Sequence, residues 1–382
     1  MNESLTDHRI WLLIFMIITW SGRARRATRT QIKVPMLKPA SSISQPLQDK
    51  VSVIIPAKNE EKNIGDCLEK LLAQDYPHLE IIVANDNSSD RTEEILKSFG
   101  SRIKTLNVPP TPPDWTGKNY ALHTALPLAS GSWYLFTDAD TRHDPASIST
   151  ALTHAITRKI ELLTLLPRCI ALTFFEKLIQ PTAMGFMGLW FPFEKVNNPK
   201  SREYFGNGQY ILMRRELYGT IGGHHAVRHE FLEDYGMVRR AKEKGAKIQV
   251  AFGTRIYGTR MYDSLTRIWR GWRRIYLHAF RQNALKLGIR AVSVLLFSVV
   301  PFLAAIPTLI SVYTTHPANS SVLLGLLVSL LLFIFIIAWR TYSMIKANRL
   351  YAFLHPAAAV VIGMILIDAA IMAATKKETT WR

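Results

Sequence analysis

Trp133-Tyr-Leu-Phe-Thr-Asp138-Ala-Asp140 is an apolar run that ends in two carboxylates. Its apolar part reads as a short buried strand. Asp138 and Asp140 stand at positions i and i+2 of the ending strand, so both project to one side. There their oxygens can chelate a hard divalent cation. Ordinary strand-end turns also produce Asp-x-Asp, so the pair takes its meaning from what flanks it.

Upstream, Val51 to Ile55 forms a second buried-strand run. Asn63 to Ala73 then has helical periodicity, with Ile64, Leu68, Leu71 and Leu72 on one face. Glu80 to Ala84 reads as a strand, Asp90 to Phe99 as a helix with Asp90 as its N-cap, and Ile103 to Leu106 as a strand. Strand and helix go on alternating to about Phe252. This predicts an α/β fold, a Rossmann-like domain with a mainly parallel sheet and helices on both faces. Ligands of such sheets bind beyond the carboxyl ends of the strands. Asp86, Asp138 and Asp140 all fall there.

The rest of the chain is not built like a soluble domain. Of 382 residues, 48% are hydrophobic, yet Lys plus Arg exceed Asp plus Glu by 47 to 29, a net charge of +18. Apolar residues gather near the ends, and cationic residues flank them. That separation fits a membrane protein. A nucleic-acid partner is not expected, because zinc-finger spacing and an aromatic RNA-binding signature are both lacking. Ala291 to about Thr314, Ser321 to Trp339 and Pro356 to Ala374 read as C-terminal transmembrane helices, the first with kinks at Pro301 and Pro307. Asp368, the one acid in the third, is expected to face a partner helix. Ile10 to Trp20 is short for a span and reads as a short anchor, an interfacial helix or the remnant of a longer span, followed by Arg23, Arg25, Arg26, Arg29 and Lys33. Residues 259–290 interleave arginines with Trp269, Trp272, Tyr276 and Phe280, the make-up of an interfacial helix.

Loop charges set the expected orientation. The loop from His316 to Ser320 has no Lys or Arg, whereas the next carries Arg340, Lys346 and Arg349. The positive-inside rule puts the second loop and the α/β domain in the cytoplasm, on a multi-pass protein of the cell membrane. Lys376, Lys377 and Arg382 conflict with a third full span, which leaves a re-entrant segment open. Cys67 and Cys169 read as buried free thiols rather than a disulfide or metal pair.

In order, the chain carries Ile55-Pro-Ala-Lys-Asn-Glu-Glu61, Val83-Ala-Asn-Asp-Asn-Ser-Ser-Asp-Arg-Thr92, Trp115-Thr-Gly-Lys-Asn-Tyr-Ala-Leu122, Thr137-Asp-Ala-Asp140 and Phe231-Leu-Glu-Asp-Tyr235. This ordered set resembles the family 2 glycosyltransferases with the GT-A fold. Gly208-Gln209, Gly222-Gly223-His224, Arg260-Met-Tyr262 and Trp269-Arg-Gly-Trp272 are similar to the hopene-associated and carotenoid glycosyltransferases, which carry C-terminal membrane helices.

The resemblance implies roles. Pro56, Glu60, Asp86, Lys118, Asp138, Arg260 and Trp272 would bind the donor, with Arg270 and Arg273 as rivals for the diphosphate. Glu60 would lie near the ribose or base, and Asp86 would accept the uracil N–H, which favours a UDP-sugar. Asn85 and Asn87 depart from the commoner Asp and Gly, but Asn tolerates the left-handed turn. Lys118, at a helix start, suits a phosphate. Asp140 would hold a divalent cation, Mg²⁺ or Mn²⁺. Asp234 would be the general base of an inverting displacement, although acids in a first helical turn also serve the helix dipole. Gln209 and His224 would lie towards the acceptor, a polyprenoid-type lipid. Residues 174–193, rich in aromatics, read as core or as a groove for that lipid.

The expected organisation is an anchor and basic flank (1–34), a linker (35–49), a GT-A domain (50–258), interfacial helices (259–290) and a membrane domain of two to three spans (291–382). A processive polysaccharide synthase is the rival activity, but the Gln-x-x-Arg-Trp run usual in that class is missing. A non-catalytic membrane protein that kept the fold is the other rival.

Overall fold

The computed structural model describes residues 8–39, 48–315 and 319–375. In chain order its elements are α1 (His8–Lys33), β1 (Val51–Ala57), α2 (Ile64–Leu72), β2 (Leu79–Asn85), α3 (Thr92–Ser98), β3 (Lys104–Asn107), α4 (Gly117–Ala125), β4 (Trp133–Phe136), β5 (Thr141–His143), α5 (Ser147–Thr157), β6 (Leu162–Leu166), β7 (Arg168–Cys169) and α6 (Phe174–Trp190). They continue with α7 (Phe193–Val196), β8 (Ile211–Arg214), α8 (Arg215–Thr220), α9 (Glu233–Glu243), β9 (Ile248–Phe252), β10 (Tyr257–Thr259), α10 (Leu265–Ala279), α11 (Ala284–Ser298), α12 (Val300–Thr315), α13 (Ser320–Met344) and α14 (His355–Thr375).

The chain divides into two compact units. The α/β unit comprises Thr30–Ile170 and Pro192–Met261. Its seven-stranded sheet has the order β3-β2-β1-β4-β8-β6-β9. Every pairing is parallel except those of β8, which runs antiparallel to both β4 and β6. The expected mainly parallel sheet is therefore present, with one reversed strand inserted. The order turns back on itself between β1 and β4. That switch opens a crevice beyond their carboxyl ends, where sheets of this kind bind ligands. A three-stranded sheet, β5-β10-β7, adjoins the end of β4 in sequence.

Strand alternation puts Val51, Val53 and Ile55 of β1 and Trp133 and Leu135 of β4 in one core, with Ile64, Leu68 and Leu71 of α2. All of these side chains are fully buried. Burying an aliphatic or aromatic side chain contributes about 1.5–3 kcal/mol, so this layer holds the strand ends in place.

The helical unit comprises the described residues within Met1–Arg29, Ala171–Phe191 and Tyr262–Thr379. Among the described residues, three stretches are long and apolar enough to cross a membrane: Ala284–Thr314, Ser320–Met344 and Arg349–Thr375. The first breaks at Val299, between α11 and α12 and two residues before Pro301. Proline clashes with the preceding turn, so the helix parts just ahead of it. Pro307 lies inside α12. α14 is one continuous helix. Lys376, Lys377, Arg382 and the loop residues His316–Ala318 lie outside the described residues.

Two expectations change here. The segment 174–193 was placed in the catalytic domain, but α6 clusters with the C-terminal helices. Much of α6 packs on helices, with the Trp190 ring 5.6 Å from that of Tyr276 and Thr182 bonded to Tyr342 at 2.9 Å, while Phe174 and Phe175 are exposed. The N-terminal run is also longer than expected, a 26-residue helix. Ile10, Leu13, Met16 and Trp20 of α1 pack with Phe297, Leu323 and Leu327.

Asp368 does face a helix. Its Oδ2 accepts from Trp269 Nε1 at 2.7 Å and from Arg273 Nη1 at 3.0 Å, both on α10. Hydrogen bonds to charged groups contribute about 1.5–3 kcal/mol. Asp368→Ala leaves Arg273 without this carboxylate and is expected to lower the unfolding midpoint of the detergent-purified protein. An unchanged midpoint would show that the pairing carries no stability.

Candidate active site

The site grows from the loops at the carboxyl ends of β1, β2 and β4, joined by the starts of α4 and α9. After β1, the chain turns through Asn59 in the left-handed conformation (φ 57°) to Glu60. After β2, Asp86 is followed by Asn87, also left-handed (φ 50°). The two loops are laced together. Asn59 Oδ1 accepts the Ser89 N–H at 2.8 Å, and Thr92 Oγ1 accepts the Glu60 N–H at 2.8 Å. Asp86 is buried and accepts from Lys58 Nζ at 3.0 Å. Pro56 lies in β1, in register with Ala84 of β2.

After β4, the Asp138-Ala-Asp140 turn is held from below by neutral groups. Thr141 Oγ1 donates to the Asp138 carbonyl at 2.7 Å, and Thr137 Oγ1 donates to the Gln209 carbonyl at 2.8 Å. His143 Nε2 lies 3.1 Å from both threonine hydroxyls. Burial pushes the His143 pKa down to about 3, so the ring is uncharged. The turn is thus fixed without a charge beneath it.

Lys118, in the first turn of α4, reaches this turn. Its Nζ sits 2.8 Å from Asp138 Oδ1 and 2.7 Å from Glu233 Oε1. Burial disfavours the ammonium, but the two carboxylates outweigh it and raise its pKa. α4 is itself tied to the approach to α9. Buried Asn119 donates through Nδ2 to the carbonyls of Val227 and Glu230, at 2.8 and 2.9 Å.

Glu233 and Asp234 open α9, both buried. Asp234 Oδ2 accepts the Gly208 N–H at 2.8 Å, and its Oδ1 accepts the Tyr235 N–H at 2.8 Å. The close approach requires glycine. A Cβ at Gly206 would lie 2.5 Å from the Asp234 carbonyl oxygen, and one at Gly208 would lie 3.0 Å from Glu233 Oε1 and 3.1 Å from Lys118 Nζ. Burial, and then Glu233, push the Asp234 pKa up to about 7, against the pull of Lys118 and the two N–H donors.

Asp140 is held well above the usual carboxylate range by burial, then by Asp138 and Glu60. Thr259 Oγ1 donates to its Oδ1 at 3.4 Å, and the Arg260 N–H donates to its carbonyl at 3.2 Å. Asp138 and Asp140 therefore form an acid pair that repels itself and offers only oxygen. Among the described residues no group of three or more His, Cys, Asp or Glu is poised around one point. This composition still fits Mg²⁺ or a similar hard cation, which needs one or two carboxylates and takes its other ligands from water and substrate phosphate.

The structure thus brings together Lys118, Asp138 and Glu233 by direct contact, with Asp234 next to Glu233 and Asp140 two residues from Asp138. Glu60 is close enough to raise Asp140. Gln209 and His224 lie beside this cluster, Gln209 through Thr259 and Asp140, and His224 against the Phe136 ring at 4.8 Å. Gln209 is 8% exposed and donates to Thr259 Oγ1 at 3.0 Å. His224 is 2% exposed, bonded through Nδ1 to the Tyr218 hydroxyl at 2.9 Å, with its pKa pushed down to about 3 by burial and then by Lys118. One polar side-chain atom of each is thus taken by a protein partner. Trp272 belongs to the helical unit, where its ring lies 5.3 Å from Tyr276. Arg273, a rival for the diphosphate, binds Asp368 instead.

Sequence reading did not give Glu233, Lys58 or Thr259 a role. For Glu233 a signal existed, since it adjoins Asp234 at a helix start. Thr259 carried none, because the small sheet that delivers it joins segments far apart in sequence.

Comparison with known proteins accords with this geometry. The profile of glycosyl transferase family 2 matches residues 52–222. The 4,4'-diaponeurosporenoate glycosyltransferase of Staphylococcus aureus (strain USA300) is 26% identical over 228 residues, 58% of this chain and 59% of that protein. The chain thus spans rather less than two thirds of the curated relatives it matches. A mannosyltransferase of Pyrobaculum calidifontis, solved with GDP-Man and Mn²⁺, superposes with a TM-score of 0.53 at 18% identity, covering 97% of this chain and 100% of that one. Residues 52–222, with their mainly parallel sheet and acid-lined strand ends, are a family 2 glycosyltransferase domain of the GT-A fold.

Proposed function

We propose that this chain is a membrane-bound, inverting glycosyltransferase that moves a sugar from a nucleotide sugar, UDP-linked in our reading, to a polyprenoid-type lipid, carotenoid or hopanoid-like. One observation carries the reading. A lysine only 13% exposed bridges the Asp138 turn to the Glu233–Asp234 helix start at the carboxyl end of the sheet. This puts groups suited to a diphosphate next to a carboxylate whose pKa is about 7. The name of the Staphylococcus aureus relatives and the apolar helices support the lipid acceptor.

Each residue then has a task. Glu60 and Asp86 hold the nucleoside, with Pro56 shaping the strand end beneath it. Lys118 and Arg260 face the diphosphate. Asp138 and Asp140 would hold a divalent cation, which when bound supplies positive charge at the leaving diphosphate. Asp234 takes the acceptor's proton as that oxygen attacks the anomeric carbon opposite the leaving group. A single displacement of this kind inverts the anomeric centre. The helical unit anchors the enzyme in the cell membrane, with the catalytic domain on the cytoplasmic side, as the basic loop with Arg340, Lys346 and Arg349 indicates.

The base must be ionised to act. Transfer is therefore expected to rise with pH through about 7, and to fall by roughly tenfold per unit below it. A pH profile of kcat/KM that stays flat through that range would remove Asp234 as the base.

The function itself is tested by incubating the detergent-purified chain with radiolabelled UDP- and GDP-sugars and total membrane lipid. The expected product is one labelled lipid of low mass. Label retained in high-mass polymer would instead favour a processive synthase, and no transfer from any donor would favour a non-catalytic protein.

A further inference from the structure

Three arginines of the helical unit share one small region. Arg23 of α1 donates through Nη2 to Ser293 Oγ on α11 at 2.9 Å. Arg290 lies one turn earlier on α11, its guanidinium 5.6 Å from the Trp190 ring and 5.7 Å from Phe280. Arg26 donates to the Leu189 carbonyl, next to Trp190, at 3.0 Å. Arg23 and Arg290 are close enough to repel each other, and so are Arg290 and Arg26. Among the described residues none of the three has an acidic partner. Arg23 Nη1 is moreover buried without any hydrogen-bond partner among them.

Gathering three cations without a counter-charge is costly, and an anion relieves it. The surroundings say which kind. α1 and α11–α12 run antiparallel, since Trp20 Nε1 donates to the Phe297 carbonyl and Arg9 to Ser311. α1 is apolar before Arg23, and α11 becomes apolar after Arg290, so both helices change character at the same level. The same two helices carry exposed apolar side chains within a few residues of the arginines, with Ile18 60%, Ile289 56% and Val292 63% exposed. A free inorganic anion would leave those groups bare. An amphiphile with an oxyanion head and aliphatic chains satisfies both.

We propose that Arg23, Arg26 and Arg290 form a binding site for the phosphate headgroup of an anionic membrane phospholipid, with its acyl chains along Ile18, Ile289 and Val292. The guanidiniums present several N–H donors to the phosphate oxygens, while Trp190 and Phe280 hold Arg290 in place by cation–π contact. This site is independent of the transfer reaction, and its readout is binding.

The full chain in a neutral maltoside detergent is titrated with phosphatidylglycerol, phosphatidylcholine or inorganic phosphate, and followed by thermal unfolding and native mass spectrometry. Phosphatidylglycerol is expected to raise the midpoint and stay bound in preference to phosphatidylcholine, with inorganic phosphate without effect. Arg23→Gln/Arg290→Gln is expected to weaken phosphatidylglycerol binding by roughly tenfold or more. Lys70→Gln/Lys244→Gln, an equal loss of charge on the α/β unit, is expected to leave it unchanged. The wild-type preference needs no variant to fold. Equal binding of the two phospholipids, an equal shift with inorganic phosphate, or an undiminished preference in the arginine variant overturns the proposal.

Discussion

Asp234→Asn is expected to cut transfer by about 10²–10⁴-fold, the usual worth of a positioned general base. The amide keeps the side chain's size and one of its acceptor oxygens, so the turn around Gly208 and Tyr235 loses one hydrogen bond at most. What disappears is the carboxylate that can take a proton near neutral pH. The loss should fall on kcat, with the KM for the nucleotide sugar little changed, because Lys118, Asp138 and Asp140 remain. Thermal unfolding of the same sample separates a chemical defect from a folding one. A variant that transfers at the parent's rate would remove Asp234 from the mechanism and turn attention to Glu233.

Lys118→Met is expected to have the largest effect on stability. The side chain is 13% exposed and bridges Asp138 and Glu233. Methionine fills the space but leaves those carboxylates facing each other, with Asp140 and Asp234 close by. Removing one partner from a fully buried ion pair costs about 3–5 kcal/mol, and the cost here is smaller because Asp138 is 29% exposed. The same change removes the pull that Lys118 exerts on Asp234. Whatever activity survives should thus have its acid limb moved to higher pH. Both effects have one cause, so an unchanged unfolding midpoint together with an unchanged pH profile would show that the bridge is not formed in solution.

The first half of the α/β unit is well marked in the chain. β1, α2, β2, α3 and β4 come from local period and turn chemistry, and each lies within a few residues of its sequence reading. Asn87 adopts the left-handed turn that asparagine tolerates. The later half is harder. β8 pairs antiparallel between β4 and β6, and no local pattern in Ile211–Arg214 states direction. The aromatic stretch of α6 would look the same in a domain core as in a helical bundle. Gln209 and His224 have the right residue types for a substrate contact, but their protein partners, Thr259 and Tyr218, come from folding and not from local sequence.

The amino-acid sequence alone determined the α/β alternation, the acids at the strand ends and the apolar C-terminal helices, because each is written in contiguous residues. Only the tertiary structure decided that Lys118 bridges two acids, that Thr259 meets Asp140 and that three arginines converge without a counter-charge. Those depend on which distant segments come together, and on how far burial shifts their charges, and neither is a property of neighbouring residues.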